Sequence, residues 1–371
     1  MKKLFIFVLL TLIISGCLQT NVLEKLGLTI AAGYDPLKND QFLITTVQTR
    51  IEDGEKAQIV TDTGNTGKDV RNALDREMDK KIVSGQLRLI LYNKKLASKG
   101  LNPLLDSLYR DPSVGTMVFL TVSKGKAEDI LSYRYSNIEN IGTFLYNNIR
   151  KNIRRGQIPS STLHEFQRDS YDVGRDPMLP ILERHGNEID ISGIALFKND
   201  KMVAEASPRE SYLIQLIRSQ SKLGSLEVVL NTDTLNEFMK ANYPREKIYL
   251  VVRVLTSKND IQLINQNKAK FNLDMNLNVD LLEQSASIDL GNPKVIDILQ
   301  NEISKEISKE VEKVIHKLQH VQSDVVGFGE VYRSSVRDSK LTKNHWHEMF
   351  KEAAIDVSVK VRLDNTGIIE E

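Results

Sequence analysis

The sequence predicts a mixed α/β protein of the α+β type, made of three small mixed domains, the last a largely antiparallel sheet packed on a long amphipathic helix. Three observations predict it. Short β-rich runs and short helical runs interleave over the first half of the chain. In the second half, Phe271, Leu273, Met275, Leu277 and Val279 alternate with polar residues, as do Ile355, Val357, Val359, Val361 and Leu363. Between those runs, Val295, Leu299, Ile303, Ile307, Val311, Ile315 and Leu318 recur every three or four residues. A period of two buries one face of a strand, and a period near 3.6 buries one stripe of a helix. Such a sheet and such a helix can bury each other.

The elements follow in chain order. Residues 1–16 read as a signal peptide: Lys2 and Lys3, an apolar run from Leu4 to Ile14, then Ser15 and Gly16 before Cys17. The run is too short for a stable membrane-crossing helix. Residues 18–26 are expected to be a short leader. A first α/β domain, 17–134, opens with strands at Leu28–Ala32 and Phe42–Val47, separated by a turn at Gly33-Tyr34-Asp35-Pro36. A helix is expected over Lys68–Lys81, with Thr66 as its cap and Glu77 a polar exception on its apolar face. A strand at Gln86–Tyr92, a short helix at Leu101–Tyr109 and a strand at Thr116–Val122 complete this domain.

A second small domain, 135–207, is expected to hold helices at Ile138–Arg154 and Leu163–Tyr171. Strands follow at Met178–Leu182, Ile189–Lys198 and Lys201–Ala206, with a hairpin turn at Asn199-Asp200. The third domain, 208–371, begins with a helix from Pro208 to Ile217, which suits proline in a first turn. Tyr249–Leu255 is more continuously apolar and reads as a central strand. The long helix spans about Pro293 to Val321, with Glu306–Lys309 and Glu310–Lys313 pairs on its outer face. The alternating strands read as antiparallel.

Composition narrows the function. Without residues 1–16 the chain keeps 355 of its 371 residues (371 − 16), ample for a buried core. Its net charge is then −1, 48 basic minus 49 acidic residues, which argues against nucleic acid as a partner. Cys17 is the sole cysteine. Once it carries lipid, no thiol remains for a disulfide or for thiolate chemistry. Two acyl chains on it would tether the body to a membrane surface.

Searches for catalytic patterns return little. His316 and His320 share a helix face, and His345 and His347 flank Trp346. A zinc site needs three or four ligands, and the segment 316–320 lacks the glutamate of a zincin. These histidines read as residues of polar helix faces, with a metal site as the competing reading. Thr63 to Asp69 resembles a phosphate loop, but Asp62 and Asp69 stand where glycine and a hydroxyl residue are needed, so a turn into a helix is expected. Gly327-Phe328-Gly329 reads as helix termination. No GxSxG elbow occurs. No catalytic residue, metal ligand or cofactor is assigned, and no enzyme is expected.

Ile14-Ser15-Gly16-Cys17 resembles the lipobox of bacterial lipoproteins, which implies a diacylglycerol on Cys17 and cleavage before it. Further segments resemble the C-subunit lipoproteins of spore germinant receptors, often written Ger(x)C. They are Leu26 to Asp35 with its Gly-x-Asp, the helix at 68–81 with the run to Tyr92, and the hairpin Gly193 to Val203. Asp324 to Arg333, Trp346 and Val357 to Leu363 resemble that family's C-terminal signature. The family's frequent tryptophan-rich start is absent: Leu18-Gln19-Thr20 follow Cys17. The resemblance implies three α/β domains and a non-enzymatic role in nutrient germination. It implies membrane A and B subunits as partners, on the outer face of the spore inner membrane. Only Cys17 is carried over as a site. A solute-binding lipoprotein of an uptake system is the alternative, followed by a lipid-anchored metalloenzyme using the late histidines.

Overall fold

The computed structural model describes residues 26–49, 57–218, 224–239 and 245–365. Cys17, the signal segment and residues 18–25 of the expected leader lie outside the described residues, and Leu26, expected as the leader's last residue, begins the first strand. Two sheets organise the chain. The first contains β1 (Leu26–Pro36), β2 (Phe42–Thr49), β3 (Ala57–Gly64), β4 (Lys81–Val83), β5 (Leu89–Asn93), β6 (Phe119–Ser123), β7 (Met178–His185), β8 (Glu188–Lys198) and β9 (Lys201–Ala206). Its order is β3-β2-β1-β5-β6-β7-β8-β9, with β4 also paired to β1. The centre, β1-β5-β6-β7, is parallel, and antiparallel hairpins flank it on both sides.

β5 and β6 are buried along their whole length, as parallel strands covered on both faces must be. Their alternation divides them between two cores. Ile90, Tyr92, Leu120 and Val122 pack on one face with α1 (Gly67–Glu77), α2 (Lys94–Lys99), α3 (Asn102–Tyr109) and α6 (Leu163–Tyr171). Leu89, Leu91 and Phe119 pack on the other with α4 (Ala127–Leu131) and α5 (Ile141–Arg154). Thr66 caps α1 as expected, its hydroxyl accepting from the Asp69 N–H at 3.2 Å.

The turn expected at residues 33–36 is displaced. β1 runs through them to Pro36, and the chain reverses at 37–41, where Asn39 and Asp40 take positive φ. Gly33 and Asp35 serve the packing of α4 instead. A Cβ on Gly33 would lie 2.8 Å from that of Ala127. The buried Asp35 carboxylate accepts from the Ala127 and Glu128 N–H groups, both at 2.9 Å, satisfying free donors at the start of α4. The domain boundary placed at residue 134 falls within this sheet, because β7 pairs with β6 at Val122↔Ile181.

The second sheet has the order β10-β11-β12-β13: β10 (Ser225–Asn231), β11 (Lys247–Asn265), β12 (Lys270–Gln284) and β13 (Ala354–Asn365). Four helices accompany it: α7 (Pro208–Arg218), α8 (Pro293–His320), α9 (Phe328–Ser335) and α10 (Lys343–Glu352). α8 buries all seven residues of its predicted stripe. Two pairings of the sheet are antiparallel, but β12 and β13 run parallel, in register at Met275↔Val359. Alternation reports which face is buried and says nothing of direction. Here the crossover through α8, α9 and α10 brings β13 back alongside β12. Glu306 pairs with Lys309 at 2.6 Å as expected. Glu310 does not pair with Lys313; it takes Arg209 of α7 in a two-pronged ion pair at 2.7 and 3.0 Å.

Candidate functional site

The two sheets meet at a buried polar junction formed from four separate segments. The loop after α6 brings Asp176. The β8–β9 hairpin brings Asn199 at its tip. The α8–α9 connection brings Asp324, and α10 brings Trp346 and His347. Asp176, Asp324, Trp346 and His347 are all buried.

Asp324 is the inner anchor. Its Oδ1 accepts from the Gly327 N–H at 2.7 Å and the Phe328 N–H at 3.2 Å. Its Oδ2 accepts from the Gly329 N–H at 2.8 Å and from Trp346 Nε1 at 3.0 Å. The carboxylate thus satisfies the free donors of the first turn of α9 and complements the positive end of that helix. Gly327-Phe328-Gly329 therefore begins a helix and does not end one; Gly327, at φ +100°, is its N-cap. Burial pushes the Asp324 carboxyl up to about 6, and the neighbouring Asp176 charge adds to this against the pull of the three backbone donors.

Asp176 ties the two halves together. Its Oδ1 accepts from the Asn199 N–H at 2.8 Å and its Oδ2 from the Asp324 N–H at 2.9 Å. The Asp176 N–H in turn donates to the Asp324 carbonyl at 2.9 Å. His347 Nε2 lies 2.9 Å from Oδ2 and 3.2 Å from Oδ1 of Asp176, while its Nδ1 is buried without a hydrogen-bond partner. Facing a carboxylate, which only accepts, Nε2 is the donor of this contact.

Close backbone packing completes the joint. A Cβ on Gly174 would stand 2.2 Å from the Glu330 nitrogen, and one on Gly329 would stand 2.5 Å from the Gly174 Cα. Only glycine at both positions lets the loop touch the helix. Arg175 pairs with Glu330, and Arg333 with Asp172 at 3.2 Å. Trp346 sits in an aromatic group with Phe271, Tyr332 and Phe350.

The junction can hold; it is poorly placed to react. A general base must come within hydrogen-bond reach of its substrate. The His347 and Asp176 side chains are only 3% and 2% exposed. The predicted histidines do not converge. His316, His320 and His345 are exposed, whereas His347 is drawn inside by Asp176, so the polar-face reading fails for that residue. Among the described residues, no group of three or more His, Cys, Asp or Glu is placed to hold a metal ion. Thr63 to Asp69 forms the expected turn from β3 into α1.

Sequence reasoning missed Asp176 altogether, and nothing local marks it. Asp324 and Trp346 belong to the segments that resemble the germinant-receptor C subunits, and the hairpin from Gly193 to Val203 supplies Asn199. Those segments are distant in sequence, and the junction is where they meet.

Comparison with known proteins agrees with this placement. The family described as "Spore germination protein N-terminal domain" matches residues 19–184. The family described as "Spore germination B3/ GerAC like, C-terminal" matches residues 192–367. Spore germination protein GerQC of Bacillus cereus is 26% identical over the full length of both chains. Spore germination protein YndF of Bacillus subtilis (strain 168) is 24% identical over 100% of this chain and 98% of its own. The crystal structure of the GerBC protein shares the fold, with a TM-score of 0.59 at 17% identity, over 91% of this chain and 98% of that one. From its first strand to its last, this chain belongs to the GerAC-like family of spore germination proteins, the C-subunit family of germinant receptors.

Proposed function

We propose that this chain is the lipid-anchored, non-enzymatic C subunit of a nutrient germinant receptor. It works beside membrane A and B subunits on the outer face of the spore inner membrane. The observation that carries this reading is the two-part family match over both sheets, joined to a sole cysteine in a lipobox-like setting at residue 17. A non-enzymatic role is supported by the Asp176–His347 pair, whose hydrogen-bonding capacity is directed into the joint between the sheets. The body then acts as a rigid two-sheet module at the membrane surface, held there by acyl chains and presenting its outer faces to its partners.

The solute-binding alternative has one observation in its favour. The parallel β1-β5-β6-β7 centre, with helices on both faces, is the kind of sheet such proteins use. The full-length likeness to spore germination proteins weighs more.

The anchoring is tested by Cys17→Ala. The parent should incorporate labelled lipid and fractionate with spore membranes, whereas the variant should lose the label and leave the membrane fraction. A variant that remains membrane-bound to the same extent, without lipid, contradicts the tether.

A further inference from the structure

A cavity of about 340 Å³ lies between β1, β2, α1 and α3. This is the lower part of the size range of small-molecule sites. Its interior is mostly apolar, with Ala32, Ile44, Val70, Leu74 and Ile82 in its walls and the buried Thr29, Thr46 and Ser84 among them. Its exposed lining residues, Lys68, Asp106, Ser107 and Arg110, mark the mouth. It is distinct from the junction around Asp176, with which it shares no residue.

Of the polar groups that face this space, Tyr34 and Arg71 matter most for a ligand. Tyr34 is only 8% exposed and lines the cavity; its ring packs on Tyr92 with centroids 5.2 Å apart. Its hydroxyl lies against Gly67, where a Cβ would stand 2.8 Å from it, and it has no hydrogen-bond partner among the described residues. The hydroxyl lines the cavity and is not one of the buried unpaired groups, so a ligand oxygen entering the cavity can accept from it. Burial pushes this hydroxyl up to about 12, despite the opposing Arg71 charge, so it remains a donor at neutral pH. Arg71 is held by two other lining residues, Ser84 at 2.9 Å and Asp111 at 2.7 Å.

The charges around the cavity do not cancel. Arg71 pairs with Asp111, and Arg110 with Asp106 at 2.8 Å. Lys68, next in sequence to Gly67, has no acidic partner among the described residues, which leaves the lining one positive charge in excess. A mostly apolar interior, a donor open to it and one surplus cation on the residue after Gly67 define a complementary molecule.

We propose that this cavity binds a small monocarboxylate amphiphile, its aliphatic body against Ala32, Ile44, Val70 and Leu74 and its carboxylate at the Tyr34–Lys68 end. The proposal stands on the cavity alone and does not depend on the receptor reading.

The test is calorimetric titration of hexanoate into the full chain held in phospholipid nanodiscs, with empty nanodiscs as the blank. One saturable site is expected. Hexanol, with the same body and no charge, should bind about tenfold more weakly, as should hexanoate to Tyr34→Phe, which keeps the ring and removes only the hydroxyl. Lys68→Gln should weaken hexanoate and leave hexanol unchanged. Ala32→Ile, which fills cavity space, should abolish binding of both. A folded parent with no saturable heat overturns the proposal, as does unchanged hexanoate binding in Tyr34→Phe and Lys68→Gln. Hexanol binding as tightly as hexanoate overturns the carboxylate assignment.

Discussion

Nε2 of His347 lies 2.9 Å from Oδ2 of Asp176, across 171 residues of chain. The contact joins the last helix of the second sheet's domain to the loop that leads into β7 of the first. Around it, each oxygen of Asp176 has a further backbone donor, one from the β8–β9 hairpin and one from the α8–α9 connection. The pair is therefore a joint in the scaffold. Its value is that the two halves keep one arrangement.

Breaking the joint should be costly. Asp176→Ala leaves His347 Nε2 and two backbone N–H groups buried without an acceptor, at about 1–3 kcal/mol for each unsatisfied group. His347→Ala removes one donor and leaves a cavity, so a smaller loss is expected, in the range of about 1–3 kcal/mol. His345→Ala, on the exposed side of the same helix, should stay within about 0.5 kcal/mol of the parent. Denaturant unfolding of the three variants checks this ranking; equal stabilities would contradict it.

Asp324 gives the joint a pH dependence of definite sign. Its carboxyl is raised from 3.8 to about 6 in the fold, so the folded state holds the proton more tightly than the unfolded chain. The stabilisation is complete below pH 3.8 and is lost as pH rises through about 6. The gap corresponds to ~3 kcal/mol. Asp111 acts in a lower window. Burial would raise it, but hydrogen bonds from Ser113 and Arg71 hold it down to about 2, so its contribution is lost only as pH falls from 3.8 toward 2. Stability should thus rise from pH 7 to about pH 4.5 through Asp324, and Asp324→Asn should flatten that slope. Unfolding midpoints of parent and variant across this range test the point; parallel curves would contradict it.

The long helix separates scaffold from surface. Ile307 is 1% exposed on the inner stripe of α8. Ile307→Asp loses aliphatic burial and adds an unpaired charge, a combined cost above the 2–5 kcal/mol typical of Ile→Ala. The protein should unfold or be degraded, and its level in spores should fall. His316→Ala and His320→Ala, on the exposed face, should leave both abundance and germination near the parent. Immunoblots of spores alongside germination rates distinguish the two. Loss of germination at normal abundance in the histidine variants, with Ile307→Asp tolerated, would reverse the assignment.

What could be read in advance was local. The stripe of α8, the cap at Thr66, the span of α6 and the Asn199-Asp200 turn each follow from residues within a few positions of one another. Strand direction was not legible, because Val357 and Val359 alternate in the same way whether β13 runs with β12 or against it. The reversal after β1 was misplaced because Gly33 and Asp35 look like turn residues, yet their roles are to admit and cap α4. Asp324 and His347 each stood in a segment already singled out, but nothing in either segment pointed to Asp176 or to their meeting in one joint. Its partners are 148 and 171 residues apart, and a buried aspartate looks like an exposed one until the fold is known.

The central claim is that this chain serves germination through a nutrient receptor. Its most direct test is the germination of spores lacking the gene. They should fail to respond to one set of nutrients, recover that response when the gene is restored, and still germinate with agents that bypass nutrient receptors. Spores that respond normally to every nutrient, in a strain with no second copy able to substitute, would contradict it.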